Sequence, residues 1–188
     1  MNLKSKVGKF IEKVTVKNLN NEITRHVSGK VVLDDGCGGG SFNYSRHEDK
    51  IIHGVDIRKS DRYAGIFKES SSLKLPYEDD SFDCVVFAGV IQYIQDYGMA
   101  MREISRVLKK NGRMIIASVN KDSILRRIRI INPAPKKDAG EHNIFSQEEL
   151  KKIITDNGFG IIKELGVDAV RLPKSICSNS LIICQNEK

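Results

Sequence analysis

The sequence has no tryptophan, and aromatic residues make up only 6% of its 188 positions. Its four cysteines show neither a C-x-x-C pair nor the regular spacing of a disulfide framework, and its four histidines are scattered. We therefore expect no metal centre. We also expect a protein of the reducing cytoplasm and not a secreted domain stabilised by disulfides.

Long apolar runs are also missing. The longest, Val85–Ile94, has about half of the ~20 residues that a membrane-spanning helix needs, and glycine and glutamine interrupt it. The lysine-rich start is not followed by the apolar stretch of a secretory signal. With 40% hydrophobic and 29% charged residues, the chain has the composition and length of one soluble globular domain.

What the sequence has in excess is positive charge, with a formal net charge of +7. Residues 1–30 hold seven Lys and Arg against two Glu, and residues 121–137 hold six against one Asp, so each segment carries +5. The basic character therefore belongs to two segments and not to the whole surface.

Short apolar runs alternate with longer amphipathic stretches, which is typical of an α/β domain. Apolar runs such as Val31–Leu33 and Val85–Phe87 fit parallel strands that helices cover on both sides. We expect a single doubly wound sheet of seven strands with helices on both faces. The predicted strands are Val31–Asp35, Ile51–Asp56, Ile66–Phe67, Cys84–Ala88, Arg113–Val119, Ile161–Leu165 and Leu181–Cys184.

Spacing and capping residues predict three helices. The first lies within residues 3–27 and packs on the domain through an apolar face made of Leu3, Val7, Phe10, Ile11 and Val14. The second, Met99–Lys110, ends at the Asn-Gly pair at 111, and the third begins at the capping box formed by Ser146 and Glu149.

The first strand ends in a glycine-rich turn, Gly36-x-Gly38-x-Gly40. Glycines there let the backbone approach a ligand closely, and the helix expected to follow offers free N–H groups to an anion. A glycine turn alone fits both a nucleotide site and a purely structural turn. Asp34 and Asp35 favour one ligand, because carboxylates repel the diphosphate of NAD and attract the sulfonium and ammonium cations of S-adenosylmethionine.

Asp56 ends the second strand twenty residues after Gly36, the spacing at which an acid accepts hydrogen bonds from both ribose hydroxyls. The alternative role for Asp56 is a helix N-cap. Ser41 replaces the third glycine of the G-x-G-x-x-G pattern, which counts against an NAD-dependent oxidoreductase.

Ordered motifs over residues 31–120 resemble the small-molecule, UbiE-like (methyltransferase type 11-like) branch of the class I S-adenosylmethionine-dependent methyltransferases. The motifs are Leu33–Gly40, Val55-Asp56, Leu75–Asp83, Val90–Asp96 and Glu103–Lys109. The resemblance implies a mostly parallel, Rossmann-like sheet with an antiparallel last strand, and S-adenosylmethionine as cofactor. It also implies one methyltransferase domain over 1–188, divided into a basic helical segment (1–29), a cofactor-binding core (30–120), a basic substrate lid (121–145) and a C-terminal helix with strands (146–188).

The resemblance assigns the glycine turn to the methionine part of the cofactor, Asp34 to its ammonium group and Asp56 to the ribose. Ser71 stands where the family commonly has an acid that accepts from the adenine amino group, so a hydroxyl or the nearby Glu69 would take that role. Only ten residues separate Gly40 from Ile51, which predicts trimmed crossover helices. The implied cofactor-binding residues are Asp34, Gly36, Cys37, Gly38, Gly40, Asp56, Ile57, Ser71, Ser72, Ala88 and Gly89.

Methyl transfer from a sulfonium is an in-line displacement, so positioning the acceptor supplies much of the acceleration. If a general base is used, His142 is the best candidate, and Tyr93 stands where the family frequently has a histidine. The alternatives are an ordinary loop histidine and a packing tyrosine, and the same applies to Tyr97.

The two basic segments are the parts that usually close over the acceptor in this family. We therefore expect methylation of O or N on a small-molecule, glycan or carrier-bound acceptor, with an anionic acceptor as the hypothesis for the lid arginines. A solvated lid, a helix lying on an anionic membrane, an RNA acceptor and a cofactor-binding domain without turnover remain open. RNA ranks below a small molecule because aromatic residues do not interleave with the basic clusters.

Overall fold

The computed structural model describes residues 3–63, 65–128, 131 and 143–188. It contains one seven-stranded sheet with the strand order β3-β2-β1-β4-β5-β7-β6. The strands are β1 (Val31–Asp35), β2 (Ile51–Asp56), β3 (Ile66–Glu69), β4 (Phe82–Ala88), β5 (Leu108–Val119), β6 (Phe159–Val167) and β7 (Asn179–Asn186). All seven predicted strands are present, and β1 and β2 have the predicted bounds.

The strand directions confirm the expected topology. β1 pairs in parallel with β2 and β4, and β3 and β5 extend the parallel sheet on either side. β7 runs antiparallel to both of its neighbours, β5 and β6. The sheet is therefore the predicted doubly wound, mostly parallel type with an antiparallel last strand.

Helices cover both faces of the sheet because the central strands are apolar on both sides. The helices are α1 (Leu3–His26), α2 (Tyr97–Val107), α3 (Ile124–Arg127) and α4 (Gln147–Asp156). Ile23 of α1 packs on the face that includes Val32 and Val86. The opposite face, which includes Leu33 and Val85, packs against α2 and α4. Among the described residues, no helix combines the length and apolar character needed to cross a membrane.

Of the helix caps predicted at Asn111 and Ser146, only the one at Ser146 is present. The Ser146–Glu149 capping box is present in both directions at the start of α4. α2, however, ends at Val107, and the prediction that it continues to Lys110 is wrong, because Leu108 pairs with Phe82 in the sheet. Asn111 still adopts the left-handed conformation, with φ 62°, but it does so within β5.

The predicted packing face of α1 is wrong in its first half. Val7 is 45% exposed and Phe10 is 68% exposed, whereas Thr15, Ile23 and Thr24 are buried. The apolar spacing is real, but the contacts with the sheet come from the second half of the helix.

The crossover between β1 and β2 is shorter than a normal α/β connection. Its helical content is the 3-10 helix Tyr44–Arg46, and the described residues between β2 and β3 form no helix. The expectation of trimmed crossovers is confirmed. The expectation that an α-helix follows the glycine turn is wrong, since ten residues are too few for the turn, a helix and the return to β2.

Asp168, directly after β6, fastens α1 to the sheet. Its carboxylate accepts from Thr15 Oγ1 at 3.0 Å, from the Ala169 N–H at 2.9 Å, and from the N–H and hydroxyl of Ser178 at 2.9 and 2.7 Å. Its backbone carbonyl accepts from Asn18 Nδ2 at 2.9 Å. One buried carboxylate therefore joins α1, the end of β6 and the residue before β7.

Replacing this carboxylate should destabilise the fold. We expect Asp168→Ala to lower the free energy of unfolding by about 3 kcal/mol, because several buried donors lose their acceptor at once. Urea denaturation followed by circular dichroism measures the change. Asp49→Ala, at a carboxylate that is 71% exposed, is the matched control and should change stability by less than ~0.5 kcal/mol. Equal effects of the two variants would contradict the fastening role.

Candidate functional site

The carboxyl ends of β1, β2 and β4 meet at a cavity of about 520 Å³. The chain crosses from β1 to β2 on one side and returns to β4 on the other, so the cavity lies at the switch point of the sheet. One wall is formed by Asp56, Ile57 and residues 70–73, and the other by Gly89, Val90 and residues 93–95, with Gly36 also in the lining. This volume is within the usual range for small-molecule and cofactor sites.

The glycine turn is held close to β2 by backbone hydrogen bonds. The N–H groups of Gly36 and Cys37 both donate to the Val55 carbonyl, at 2.7 and 3.0 Å. Gly36 has φ +72°, and a Cβ atom there would lie 2.2 Å from Val90 Cγ2. Only glycine therefore combines this conformation with this close approach, and a side chain would press on the cavity wall.

Asp56, the residue predicted to bind the ribose, lies in the cavity wall. Its Oδ2 accepts from the Gly38 N–H at 2.9 Å, and its Oδ1 accepts from the Arg58 N–H at 3.3 Å. Each carboxylate oxygen keeps a second lone pair for a ligand hydroxyl. Asp56 is not a helix N-cap, the alternative role, because the described residues after it continue as a loop to β3.

Asp34 is fully buried and turns away from the cavity. Its Oδ2 accepts from the Ser41 N–H at 2.9 Å and from the Tyr44 hydroxyl. Burial raises the pKa of Asp34, and burial beside this carboxylate also raises the pKa of Tyr44. Sequence reasoning missed Tyr44, since the local pattern gives no sign that its ring folds back beneath the turn. The predicted contact of Asp34 with an ammonium group stays a prediction.

Asp35 points to the opposite face, as strand alternation requires. It is also fully buried, and its Oδ1 accepts from the Ser72 hydroxyl at 2.7 Å. Burial raises the pKa of Asp35 to about 7, with further contributions from the negative charges of Asp34 and Asp56. The sequence indicated Asp35 as a repeller of diphosphates, but not its pairing with a serine that lines the cavity.

The wall opposite Gly89 carries three consecutive serines. Two of them, Ser71 and Ser72, are predicted cofactor-binding residues, and both line the cavity. Ser71 Oγ accepts a hydrogen bond from the Leu73 N–H at 3.2 Å. Glu69, the alternative acceptor, is exposed at the end of β3 and is not part of the lining. Ile57 is 67% exposed at the rim, where a ligand base could cover it.

The second wall follows β4. Gly89 begins it with φ +74°, and its N–H donates to the Ala117 carbonyl at 2.9 Å. Tyr93 is 48% exposed in this wall, next to Ile94 and Gln95, which sequence reasoning missed. Tyr97 instead packs edge-on against Phe145, with ring centroids 5.6 Å apart. Tyr97 is thus a packing residue, the alternative that the sequence left open.

The remaining predicted positions that the structure describes do not line the cavity. Cys37 is buried, Gly38 donates to Asp56 from the turn, and Ala88 is the last residue of β4. His142 lies outside the described residues. The cofactor roles of these residues, and of Gly40, stay predictions.

The charge of the cavity favours a cationic nucleoside over a dinucleotide. None of the described lining residues carries a positive charge, Asp56 lies in the wall and Asp35 lies directly behind it. A diphosphate would therefore meet carboxylates without a compensating cation. The open space at Gly38, where a Cβ would meet nothing within 4 Å, leaves the turn accessible to a ligand. A doubly wound sheet with an acidic cavity at its switch point is the arrangement that the motif resemblance to class I methyltransferases implies.

Comparison with known proteins identifies the family. The model of a methyltransferase-domain family matches residues 7–164, so the chain belongs to this family, whose cofactor is S-adenosylmethionine. Curated relatives include ubiquinone biosynthesis O-methyltransferases and UbiE C-methyltransferases, which confirms the resemblance seen in the motifs. The Bartonella bacilliformis O-methyltransferase is 24% identical over 74% of this chain and 64% of its own length. The chain covers between 34% and 70% of the length of the curated relatives that it matches, and 44% of one of the two uncharacterized Methanocaldococcus jannaschii proteins among them.

Solved structures share the fold. A Thermotoga maritima S-adenosylmethionine-dependent methyltransferase, described as a possible histamine N-methyltransferase, superposes with a TM-score of 0.74 at 21% identity, covering 95% of this chain and 92% of the other. The Burkholderia thailandensis 1,6-didemethyltoxoflavin-N1-methyltransferase, solved with 1,6-didemethyltoxoflavin and S-adenosylhomocysteine bound, gives 0.71 at 16% identity over 99% and 88% of the two chains.

The glycine turn gives a direct test of the cavity. We expect Gly36→Ala to weaken binding of S-adenosylhomocysteine by about tenfold or more, since its methyl group would displace Val90 and narrow the site. Isothermal titration calorimetry measures the dissociation constant.

Gly158→Ala is the matched control, because Gly158 has φ +79° with nothing within 4 Å of an added Cβ. Both variants should lose about 1 kcal/mol of stability from left-handed strain, but only Gly36→Ala should lose affinity. Unchanged affinity in Gly36→Ala would contradict the placement of the site.

Proposed function

We propose that this cavity binds S-adenosylmethionine and that the protein transfers the methyl group to O or N of a small-molecule, glycan or carrier-bound acceptor. The cofactor supplies an electrophilic methyl group on a sulfonium. The single observation that carries the proposal is the acidic cavity at the switch point of the sheet, with no cation among its described lining residues. Methyltransferase names among the relatives support it.

Within this proposal the residues around the cavity bind different parts of the cofactor. Asp56 holds the ribose, Ile57 covers the base, and Gly36 and Gly38 admit the methionine part close to the backbone. Asp34 acts from beneath the turn, through Ser41 and Tyr44, and favours a cationic amino group at the end of β1. These residues bind and orient, and none is required to exchange a proton.

The substrate lid, residues 121–145, is anchored at both ends beside the cavity. Asn120 forms a parallel bridge with Phe145, and the Lys121 N–H donates to the Phe145 carbonyl at 3.0 Å. Asn143 donates from its N–H to the Gln92 carbonyl at 3.0 Å and from Nδ2 to the Ile94 carbonyl at 2.9 Å. The lid thus leaves and returns next to the wall that contains Tyr93, which supports its assignment to the acceptor.

The catalytic assignments follow from that anchoring. Tyr93 is a half-exposed residue of the cavity wall, within the segment to which Asn143 is bonded. His142 precedes Asn143 in the sequence, so we propose it as the acceptor's base or contact residue. Positioning by the walls supplies the main acceleration, and the base assists an acceptor that must lose a proton.

The lid carries the positive charge that would select an anionic acceptor. Arg127, at the end of α3, is exposed, and Lys121 pairs with Glu149 of α4. Three further lid cations, Arg129, Lys136 and Lys137, lie outside the described residues. We propose that acceptors with a carboxylate or phosphate are preferred over neutral ones.

The ribose assignment predicts the effect of one substitution. Asp56→Ala should weaken S-adenosylhomocysteine binding about 10- to 100-fold, because hydrogen bonds to a charged acceptor contribute ~1.5–3 kcal/mol. Calorimetric titration measures it. Asp61→Ala, at an exposed carboxylate in the same loop, should bind like the unaltered protein. If the two variants bind equally well, the ribose does not contact Asp56.

The acceptor assignment predicts a charge-dependent loss of activity. Arg127→Glu should lower kcat/KM several-fold for a phenol that bears a carboxylate, and leave the neutral parent phenol unchanged, because exposed charges interact by about 1 kcal/mol. The difference should shrink at high salt. Arg46→Glu, an exposed arginine of the 3-10 helix before β2, is the control for total charge. Equal losses for both phenols would exclude recognition of the anion by the lid.

A further inference from the structure

Asp35 is a buried carboxylate to which the proposed function assigns no ligand group. It has no accessible surface, its Oδ1 is bonded to Ser72, and its Oδ2 has no hydrogen-bond partner. A carboxyl group in this state is costly to bury, so its presence behind a ligand cavity suggests a use for its charge. Ser72 both bonds to Asp35 and lines the cavity, so it connects Asp35 to the cavity wall.

The bond between them fixes what Ser72 can offer to a ligand. A serine hydroxyl has one proton and two lone pairs, and here the proton is donated to Asp35 at 2.7 Å. The lone pairs are what remains for the cavity. A hydrogen-bond acceptor with a negative charge next to it attracts an N–H donor and disfavours a carbonyl oxygen at the same place.

The position of Ser72 indicates which part of the cofactor it meets. Asp56 and Ile57 lie in the same wall as residues 70–73, so a nucleoside with its ribose at Asp56 presents its base to the serines. The exocyclic amino group is the N–H donor of adenine. We propose that Asp35 and Ser72 together accept a hydrogen bond from this amino group. Ser72 makes the contact, and Asp35, whose negative charge lies behind the serine, is a positioning residue. The inference rests on the proposed cofactor site.

Protonation of Asp35 should weaken this preference. The pKa of Asp35 is raised to about 7, chiefly by burial, and the negative charges of Asp34 and Asp56 raise it further. Below that pH a protonated Asp35 can donate to Ser72, which frees the serine proton to turn towards a ligand carbonyl. Selectivity for an amino group over a carbonyl is therefore present above about pH 7 and falls as the pH is lowered through the pKa of Asp35.

The test compares two ligands that differ at the purine 6-position, with a proton added at N1 in the carbonyl form. S-adenosylhomocysteine carries the amino group, and S-inosylhomocysteine carries a carbonyl in its place. In calorimetric titrations at pH 8, we expect the unaltered protein to bind the amino ligand at least about tenfold more tightly. Ser72→Ala and Asp35→Asn should each reduce the ratio of the two dissociation constants, carbonyl ligand over amino ligand, several-fold. Only the unaltered protein should show a ratio that decreases between pH 8 and pH 6.

Two further variants decide between explanations. Ser81→Ala removes an exposed hydroxyl outside the cavity, bonded to the Glu78 carbonyl, and should retain the full ratio. If Ser71→Ala removes the ratio while Ser72→Ala retains it, the amino group is bound by Ser71 and the inference is wrong. A ratio in Asp35→Asn equal to that of the unaltered protein at both pH values also overturns it. Failure of the unaltered protein to bind either ligand would instead reject the proposed cofactor site.

Discussion

The site depends on the burial of two adjacent carboxylates at the end of β1. Asp34 and Asp35 are both fully buried, and their bonds are to hydroxyl and N–H groups: Asp34 to Ser41 and Tyr44, Asp35 to Ser72. Burial without a neutralising cation raises the pKa of both. Such an arrangement lowers the stability of the free protein, and a cationic ligand at the same place offsets that loss.

The short connections around the sheet explain how this arrangement is maintained. The 3-10 helix Tyr44–Arg46 replaces a full crossover helix, and this brings the Tyr44 hydroxyl to Asp34. A longer helix would have offered its own N–H groups to an anion. Here the turn is instead tied by backbone bonds to Val55 and by the bond from Gly38 to Asp56. The cavity is therefore organised by strands and turns, with helices in a supporting role.

Much of this could be predicted from the sequence, because the information is local. The parallel strands are apolar runs, the capping box at Ser146 is a four-residue pattern, and Asp56 follows Gly36 at a fixed spacing. The features that were missed involve residues distant in the chain. The contact of Ser72 with Asp35 spans 37 positions, and no periodicity encodes it. The exposure of Val7 and Phe10 likewise depends on which part of α1 packs on the sheet, which helix spacing does not specify.

The most direct measurement is a crystal structure of the complex with S-adenosylhomocysteine. We expect the nucleoside in the cavity between β2 and β4, with both ribose hydroxyls within about 3 Å of the Asp56 carboxylate oxygens and the adenine beside residues 70–73. A ligand bound elsewhere on the molecule, or a ribose turned away from Asp56 with the base at Tyr93, would contradict it.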